Sequence, residues 1–334
     1  MSKTDSGCEP VFVVGMNGSG TTMLLDCLGR HPGLYAFPRE TRLIPYLMAR
    51  EARYGDLHVD ANFRALWDEV RNLAVFRETN GNVPVPLAAD WREHPRTLAA
   101  ILDAVFSHFA KRQSKRRWCE KTPQHVQHLR ALSRRFPGAR FVHVIRDGRD
   151  CAVSFHRRWR RQPELTVFRW KKVLAMGREQ GRELGPGRYL EVRYEDLTAV
   201  PEASLRRICG FLGLPFDPAV LDSAQPYLQA EPGAVERGLR RNSGKWGSYF
   251  APATVDALER IAGRTLASCG YATAYPDSDL DVAGWRRRYW SVAETLREYS
   301  REIWRKLNGE LERPWRVILV KPVNALRHRQ HNVY

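Results

Sequence analysis

Cysteine pairs at metal-binding or redox spacing are missing from this chain. Its six cysteines (Cys8, Cys27, Cys119, Cys151, Cys209 and Cys269) are scattered over 334 residues without a single CxxC. That excludes zinc-ribbon and thioredoxin-type motifs and a disulfide-stapled scaffold, and no metal site is expected. Cys27, Cys151 and Cys209 fall in helical patterns and are expected as buried thiols in a reducing compartment. No apolar run of about 18 residues occurs, so no transmembrane helix is predicted. The polar opening MSKTDSGCEP leads directly into an apolar strand pattern and leaves no room for a signal peptide. The expected location is therefore cytoplasmic, with a peripheral place at the inner membrane face left open by the C-terminal segment described below. Internal repeats and low-complexity tracts are absent as well.

Negative charge is also scarce. Lys and Arg number 54 against 37 Asp and Glu, a net charge of +17. The bias is uneven, with 21 basic against 5 acidic residues between Lys111 and Arg182. Such a surface favours anionic partners such as nucleotides, phosphorylated or acidic substrates, nucleic acid or anionic lipid. A hydrophobic content of 43% with ten tryptophans supplies ample core.

Short apolar runs alternate with helical patterns. PVFVVG (10–15), GLYAF (33–37), RRWCEK (116–121), ARFVHVIR (139–146) and GRYLEVRYEDL (187–197) read as strands. HVQHLRALSRRF (125–136) reads as an amphipathic helix, and further helices are expected over roughly 149–160 and 165–184. This alternation predicts an α/β three-layer sandwich with a central parallel sheet. Ligands of such sheets bind at the carboxyl ends of the strands. The positions to inspect are the turn after Val14, Pro38 to Arg42, Lys121, Arg146 and Tyr194. YPDSDLD (275–281) reads as a linker between a catalytic domain over 10–274 and a basic helical extension over 285–334.

The segment VFVVGMNGSGTTMLLDCL (11–28) has the outline of a phosphate-binding loop, but Thr21 stands where the loop's lysine would be. A glycine turn between strand and helix aims backbone N–H groups and a helix dipole at an anion. Ser19, Thr21 and Thr22 add hydroxyl donors. Without ligand the same turn would be a tight strand–helix connection. In a nucleoside triphosphatase the missing lysine bridges phosphates, and a carboxylate strand helps hold magnesium. FVHVIR has an arginine in place of that carboxylate, which disfavours metal-assisted triphosphate chemistry. In VIRDGRDCAVSF, Arg146 ends a strand and Ser154 lies about two turns into the next helix, so the two can grip one phosphate. The alternative is an exposed network of Arg146, Asp147, Arg149 and Asp150.

Taken together these stretches resemble the sulfotransferases that use 3′-phosphoadenosine 5′-phosphosulfate (PAPS). The resemblance implies the P-loop-containing sulfotransferase-like fold and runs over about residues 11–250. It assigns the 5′-phosphosulfate to the loop Asn17, Gly18, Ser19, Gly20, Thr21 and Thr22, and the 3′-phosphate to Arg146 and Ser154. It places Tyr194 of a YED stretch near the adenine, and Lys245 and Trp246 of NSGKW on a loop that closes over the nucleotide. RETRLIP looks like the tyrosylprotein sulfotransferase subgroup, which implies Glu40 as the base and Arg42 near the sulfate. WCEKTP places Lys121 at that subgroup's lysine. Proton removal from an acceptor hydroxyl suits a carboxylate, and cations would stabilise charge on the sulfuryl and bridging oxygens. The family usually carries Arg or Lys immediately before SGTT; here Gly18 stands there, and Lys121 or Arg42 is expected in its role, the alternatives being a hydrogen bond from Asn17 or an impaired enzyme. The implied activity is sulfuryl transfer from PAPS to an acceptor hydroxyl without a metal, the alternative being a P-loop kinase of a small metabolite. A glycan, glycolipid, peptide or small molecule is the expected acceptor, and nucleic acid is not an expected partner.

Of the histidines, His143 reads as sheet filler, and His125, His128 and His156 as structural residues on helical faces. In 285–307 Trp285, Tyr289, Val292, Leu296, Tyr299, Ile303 and Leu307 recur at helical spacing. This amphipathic pattern fits either packing onto the catalytic domain or contact with a membrane surface.

Overall fold

The computed structural model describes residues 9–222 and 242–307. Cys8 and the basic stretch RPWRVILVKP lie outside these residues. The fold divides into two compact units, one from residues 1–145 and 176–241, the other from 146–175 and 242–334.

The first unit is built on five strands: β1 (Val11–Gly15), β2 (Leu34–Ala36), β3 (Arg117–Lys121), β4 (Arg140–Ile145) and β5 (Tyr189–Arg193). They lie in the order β2-β3-β1-β4-β5 and every pairing is parallel, as the alternation of strand and helix patterns predicts. Helices α1 (Thr21–Gly29), α2 (Ile44–Arg50), α3 (Asp60–Arg71), α4 (Ala74–Thr79), α5 (Leu98–Lys111) and α6 (Leu129–Arg135) lie between the first four strands in sequence. Beyond β4 come α7 (Gly148–Trp159) and α8 (Pro163–Leu184), and after β5 come α9 (Tyr194–Ala199) and α10 (Pro201–Leu212). The first half of α8 counts with the second unit and its last turns with the first.

Period-two alternation in β1 sorts the two faces of the sheet. Val11 and Val13 join Cys119, Val142, Val144 and Val192 in an aliphatic layer with Leu24 and Leu28 of α1 and Leu205, Ile208 and Leu212 of α10. Phe12 points the other way, into an aromatic layer. Its ring centroid is 5.4 Å from that of Phe141 and 5.7 Å from that of Trp118, on which Phe106 of α5 stacks at 4.3 Å. The connection from β1 runs to one side of the sheet, through α1 to β2, and that from β4 runs to the other, to β5. The crevice between β1 and β4 is thus the topological switch point, where open α/β sheets bind their ligands.

Several local expectations need correction. Residues 123–128 form a 3-10 turn, and only Leu129–Arg135 is α-helical. Pro123 opens that turn, and its ring does not suit a helix interior. Tyr194 is the first residue of α9, so YED is a helix start with two carboxylates in the first turn, where the dipole favours them. All five described cysteines are buried. His143 fills the sheet as expected, its Nδ1 2.6 Å from the Tyr189 hydroxyl. None of the described helices is long and apolar enough to cross a membrane.

The second unit holds α7, the start of α8, and α11 (Trp246–Tyr249), α12 (Pro252–Ser268) and α13 (Gly284–Leu307). Segment 275–281 is an integral part of it rather than a linker. Arg264 N–H donates to Ser278 O at 2.8 Å and Leu280 N–H to Arg260 O at 2.9 Å. The buried ammonium of Lys171 donates to the carbonyls of Ile261 and Leu280, both at 2.8 Å, and to Asp279 Oδ1 at 2.7 Å. Helix α13 forms over the expected span but packs with its polar side inward. Glu294, 5% exposed, accepts from Arg161 Nη1 at 2.9 Å, Arg169 Nη1 at 3.0 Å and Gln162 N at 2.9 Å.

Candidate active site

In the first unit the glycine-rich turn follows β1 at the carboxyl edge of the sheet. Ser19 N–H donates to Met16 O at 3.0 Å, which closes the turn. Gly18 and Gly20 take φ of 84° and 98°, values that L side chains avoid. At Gly20 the neighbourhood adds a second reason: a Cβ there would stand 2.4 Å from Cδ2 of Tyr194. The residue in the position usually held by a cation is therefore a glycine for backbone reasons.

Helix α1 starts at Thr21 with no acidic residue in its first turn and no side-chain cap on its N-terminus. Ser19 Oγ is buried without a hydrogen-bond partner, and so is Asn17 Oδ1; a half-turn of the Asn17 amide would present donors instead. An orphaned buried hydroxyl costs about 1–3 kcal/mol. Uncapped N–H groups, a helix dipole and an unpaired hydroxyl together fit an anion seated in the turn. Thr21 is buried and Thr22 is exposed.

Glu40, Arg42 and Lys121 come together at the ends of the neighbouring strands. Lys121 is in parallel register with Val13 of β1, two residues before the turn's first glycine. Its buried ammonium donates to Glu40 Oε1 at 2.7 Å, and Arg42 Nε donates to Glu40 Oε2, also at 2.7 Å. Burial alone would raise the Glu40 carboxyl; the cations of Lys121 and Arg42 outweigh it and hold the group below the ordinary carboxylate range. Arg42 adopts φ 51°, left-handed backbone for a side-chain-bearing residue.

What holds that backbone is a carboxylate which sequence reasoning missed. Glu120, fully buried on the aromatic face of β3, accepts from Thr41 N at 3.2 Å, Thr41 Oγ1 at 3.0 Å and Thr122 Oγ1 at 2.5 Å. Thr122 Oγ1 in turn accepts from Arg42 N at 3.2 Å. Nδ1 of His125, itself buried, stands 3.0 Å from Glu120 Oε2. Burial raises the Glu120 carboxyl, but His125 and the donated hydrogen bonds bring it below its ordinary value. The available signal was an acidic residue inside a strand flanked by Trp118, Cys119 and Lys121. His125 accordingly belongs to this buried pair and not to an open helical face.

In the second unit Arg146 follows β4 directly. It is 7% exposed, and its guanidinium donates to the Asn242 carbonyl. Trp170 Nε1 donates to the Arg146 carbonyl at 3.0 Å. Ser154 is half-buried two turns into α7. The RDGRD text is a buried framework rather than an exposed network. Asp147 caps α7 by accepting from Arg149 N at 2.8 Å, and Arg149 pairs with Asp147 and with Glu259 of α12. Asp150 accepts from Gly244 N at 2.7 Å and Trp246 N at 3.2 Å. Burial is the main cause of its raised pKa. The RDGRD segment thereby holds the NSGKW turn: the Trp246 ring lies 3.8 Å from the Arg149 guanidinium carbon, a cation–π contact, while Lys245 is exposed. Tyr194, in the first unit, is buried against the Gly20 backbone and belongs to the aliphatic core.

The chain is similar to several known proteins. Protein-tyrosine sulfotransferase 2 of Gallus gallus is 27% identical over 263 residues, 76% of this chain and 63% of that protein. The Omega-hydroxy-beta-dihydromenaquinone-9 sulfotransferase Stf3 of Mycobacterium tuberculosis is 34% identical over 122 residues, 32% of this chain and 31% of the relative. Among solved structures, the sulfotransferase domain of the Synechococcus PCC 7002 olefin synthase matches with a TM-score of 0.54 and 25% identity, covering 81% of this chain and 98% of that domain. The chain spans about half to two thirds of the length of the protein-tyrosine sulfotransferases of Gallus gallus, Caenorhabditis elegans and Drosophila melanogaster. The model of the Sulfotransferase family matches residues 10–218, and with well over half of its length accounted for in this way, the chain belongs to the sulfotransferase family.

Proposed function

We propose that this protein moves a sulfuryl group from PAPS to the hydroxyl of an acceptor. The observation that carries the reading is the placement, on adjacent strand ends of one sheet, of a lysine-less anion cradle and the Glu40–Lys121–Arg42 cluster. Ser19, Thr21, Thr22 and the N–H groups of Asn17, Gly18 and Gly20 would receive the 5′-phosphosulfate. Arg146 and Ser154 are assigned the 3′-phosphate, and Tyr194, Lys245 and Trp246 the remaining nucleotide contacts.

In the reaction the acceptor O–H gives its proton to Glu40 as the oxygen attacks sulfur. The new O–S bond forms, the bond from sulfur to the bridging oxygen breaks, and 3′-phosphoadenosine 5′-phosphate leaves with the electron pair. Lys121 and Arg42 supply the cations for charge developing on the sulfuryl and bridging oxygens, the role of the basic residue that Gly18 displaces. No step requires a metal, because protein cations do the neutralising.

The relatives differ in the acceptor their names give, protein tyrosine in one case and an omega-hydroxy-beta-dihydromenaquinone in the other. The shared requirement is a hydroxyl, and a phenol fits the Glu40 context best since its proton is the more acidic. The test is calorimetric titration with 3′-phosphoadenosine 5′-phosphate with and without EDTA, followed by transfer of label from PAPS to tyrosine peptides and to lipid alcohols. Metal-independent binding that Arg146→Ala weakens, with label on a phenol, is the expected result. A requirement for magnesium would return the reading to a kinase.

A further inference from the structure

The C-terminal helix of the second unit is laid down with its apolar side outward. On α13, Trp285, Tyr289, Val292 and Leu296 are 71%, 66%, 48% and 64% exposed. Their spacing of four, three and four residues puts them on one stripe of the helix. The opposite side carries Glu294, buried beneath Arg161 and Arg169, and Arg287, whose guanidinium carbon lies 4.7 Å from the Phe168 ring. A surface helix of a globular protein ordinarily does the reverse. The stripe therefore awaits a partner, and the charges around it say which kind.

From Gly284 to Arg297 the helix has one carboxylate, Glu294, and it is turned inward. Arg286 and Arg297 lie along one flank of the stripe and Arg288 along the other, all exposed. Arg297 Nη1 donates to the carbonyl of Arg160 at 2.7 Å, which joins this end of the helix to the C-terminus of α7, where Arg157, Arg158 and Arg160 are exposed. A second copy laid stripe against stripe would bring arginine flanks together with no carboxylate between them. An anionic lipid surface meets both demands at once: headgroups take the arginines, and the Trp, Tyr, Val and Leu side chains enter the acyl boundary.

We propose that α13 is a peripheral membrane-docking helix which binds anionic bilayers through the Trp285–Tyr289–Val292–Leu296 stripe and its flanking arginines. The proposal is independent of which hydroxyl the enzyme sulfates.

The test is co-sedimentation of the full chain with vesicles of phosphatidylcholine alone and of phosphatidylcholine mixed with phosphatidylglycerol. Two variants accompany the wild type, Trp285→Ser/Leu296→Ser and Arg286→Glu/Arg288→Glu. All four side chains are exposed, so both variants are expected to unfold at the wild-type temperature. The wild type is expected to bind the anionic vesicles at least about tenfold more tightly than the neutral ones, and less tightly as salt rises. Each variant is expected to lose at least about tenfold. Equal binding to both vesicles, or binding that neither substitution changes, would overturn the proposal. So would absence of vesicle binding together with dimerisation that Trp285→Ser/Leu296→Ser abolishes, which would assign the stripe to a second copy.

Discussion

The ammonium of Lys121 rests 2.7 Å from Glu40 Oε1, joining the end of β3 to the segment after β2. With Arg42 on the other oxygen, the carboxylate is fully engaged by its own neighbours.

The first expected outcome concerns the acid limb of the pH–rate profile. Glu40 is held below the ordinary carboxylate range, chiefly by Lys121 once burial has been overcome. The limb of kcat/KM should fall below the usual carboxylate pKa in the wild type and move up in Lys121→Met. Glu40→Gln should lower kcat by roughly 10²–10⁴ with little change in affinity for 3′-phosphoadenosine 5′-phosphate. Unchanged kcat in that variant would remove Glu40 from the chemistry.

Glu120 is a positioning residue and should reveal itself in two ways. Glu120→Ala leaves His125, Thr41 and Thr122 without their shared acceptor and should destabilise the fold by about 3 kcal/mol. Because the folded pKa of Glu120 is depressed, its contribution is present above the ordinary carboxylate pKa and is lost as pH falls through the lower folded value. Urea midpoints of wild type and Glu120→Gln should therefore converge toward acid pH. In Glu120→Ala kcat should fall more than affinity for the donor product, since Thr41 and, through Thr122, the Arg42 backbone lose their anchor. Parallel losses of kcat and affinity would mark a general structural defect.

Ser19→Ala separates stability from binding. Removing the orphaned hydroxyl should stabilise the ligand-free protein by about 1 kcal/mol. The same change should weaken binding of 3′-phosphoadenosine 5′-phosphate by about 1 kcal/mol, measured by calorimetry. A variant that is less stable and binds normally would show that the Ser19 hydroxyl serves the apo fold.

His143 is buried, and burial drives its pKa down from 6.5 to about 4. Between these values the unfolded chain binds a proton that the native state does not, so stability rises with pH across the window. Acidification through it should cost up to about 3 kcal/mol. His143→Gln keeps a polar group for the Tyr189 hydroxyl and should flatten the dependence of the urea midpoint on pH between 4 and 6.5; an unchanged slope would assign it to other groups.

The strand segments, the phosphate turn and the ends of β3 and β4 were legible in the sequence because a central parallel strand must be apolar throughout and a tight strand–helix turn demands glycine. Glu40, Arg42 and Lys121 were reached through the resemblance, and the structure assembles them. Glu120 was missed because strand periodicity assigns a face, not a partner: nothing local says that an acidic residue on the buried face will meet Thr41 and His125. The outward set of α13 was hidden for a related reason. The helical spacing located the apolar stripe, but the inward face was decided by ion pairs from Glu294 to Arg161 and Arg169, over a hundred positions away in sequence. Likewise the sequence left RDGRD open between a phosphate clamp and an exposed charge network, because its partners Glu259 and the Gly244–Trp246 backbone lie far along the chain.

The engagement of Glu40 by Lys121 and Arg42 carries a kinetic consequence. The same two cations cannot fully serve the carboxylate and an incoming sulfuryl group. On the proposed reading, Glu40 would be a poor proton acceptor until the donor draws the two cations away, and an acceptor hydroxyl that entered first would find its base occupied. Sulfuryl transfer read in this way would be ordered in time, donor before acceptor, with neither substrate alone enough to start it.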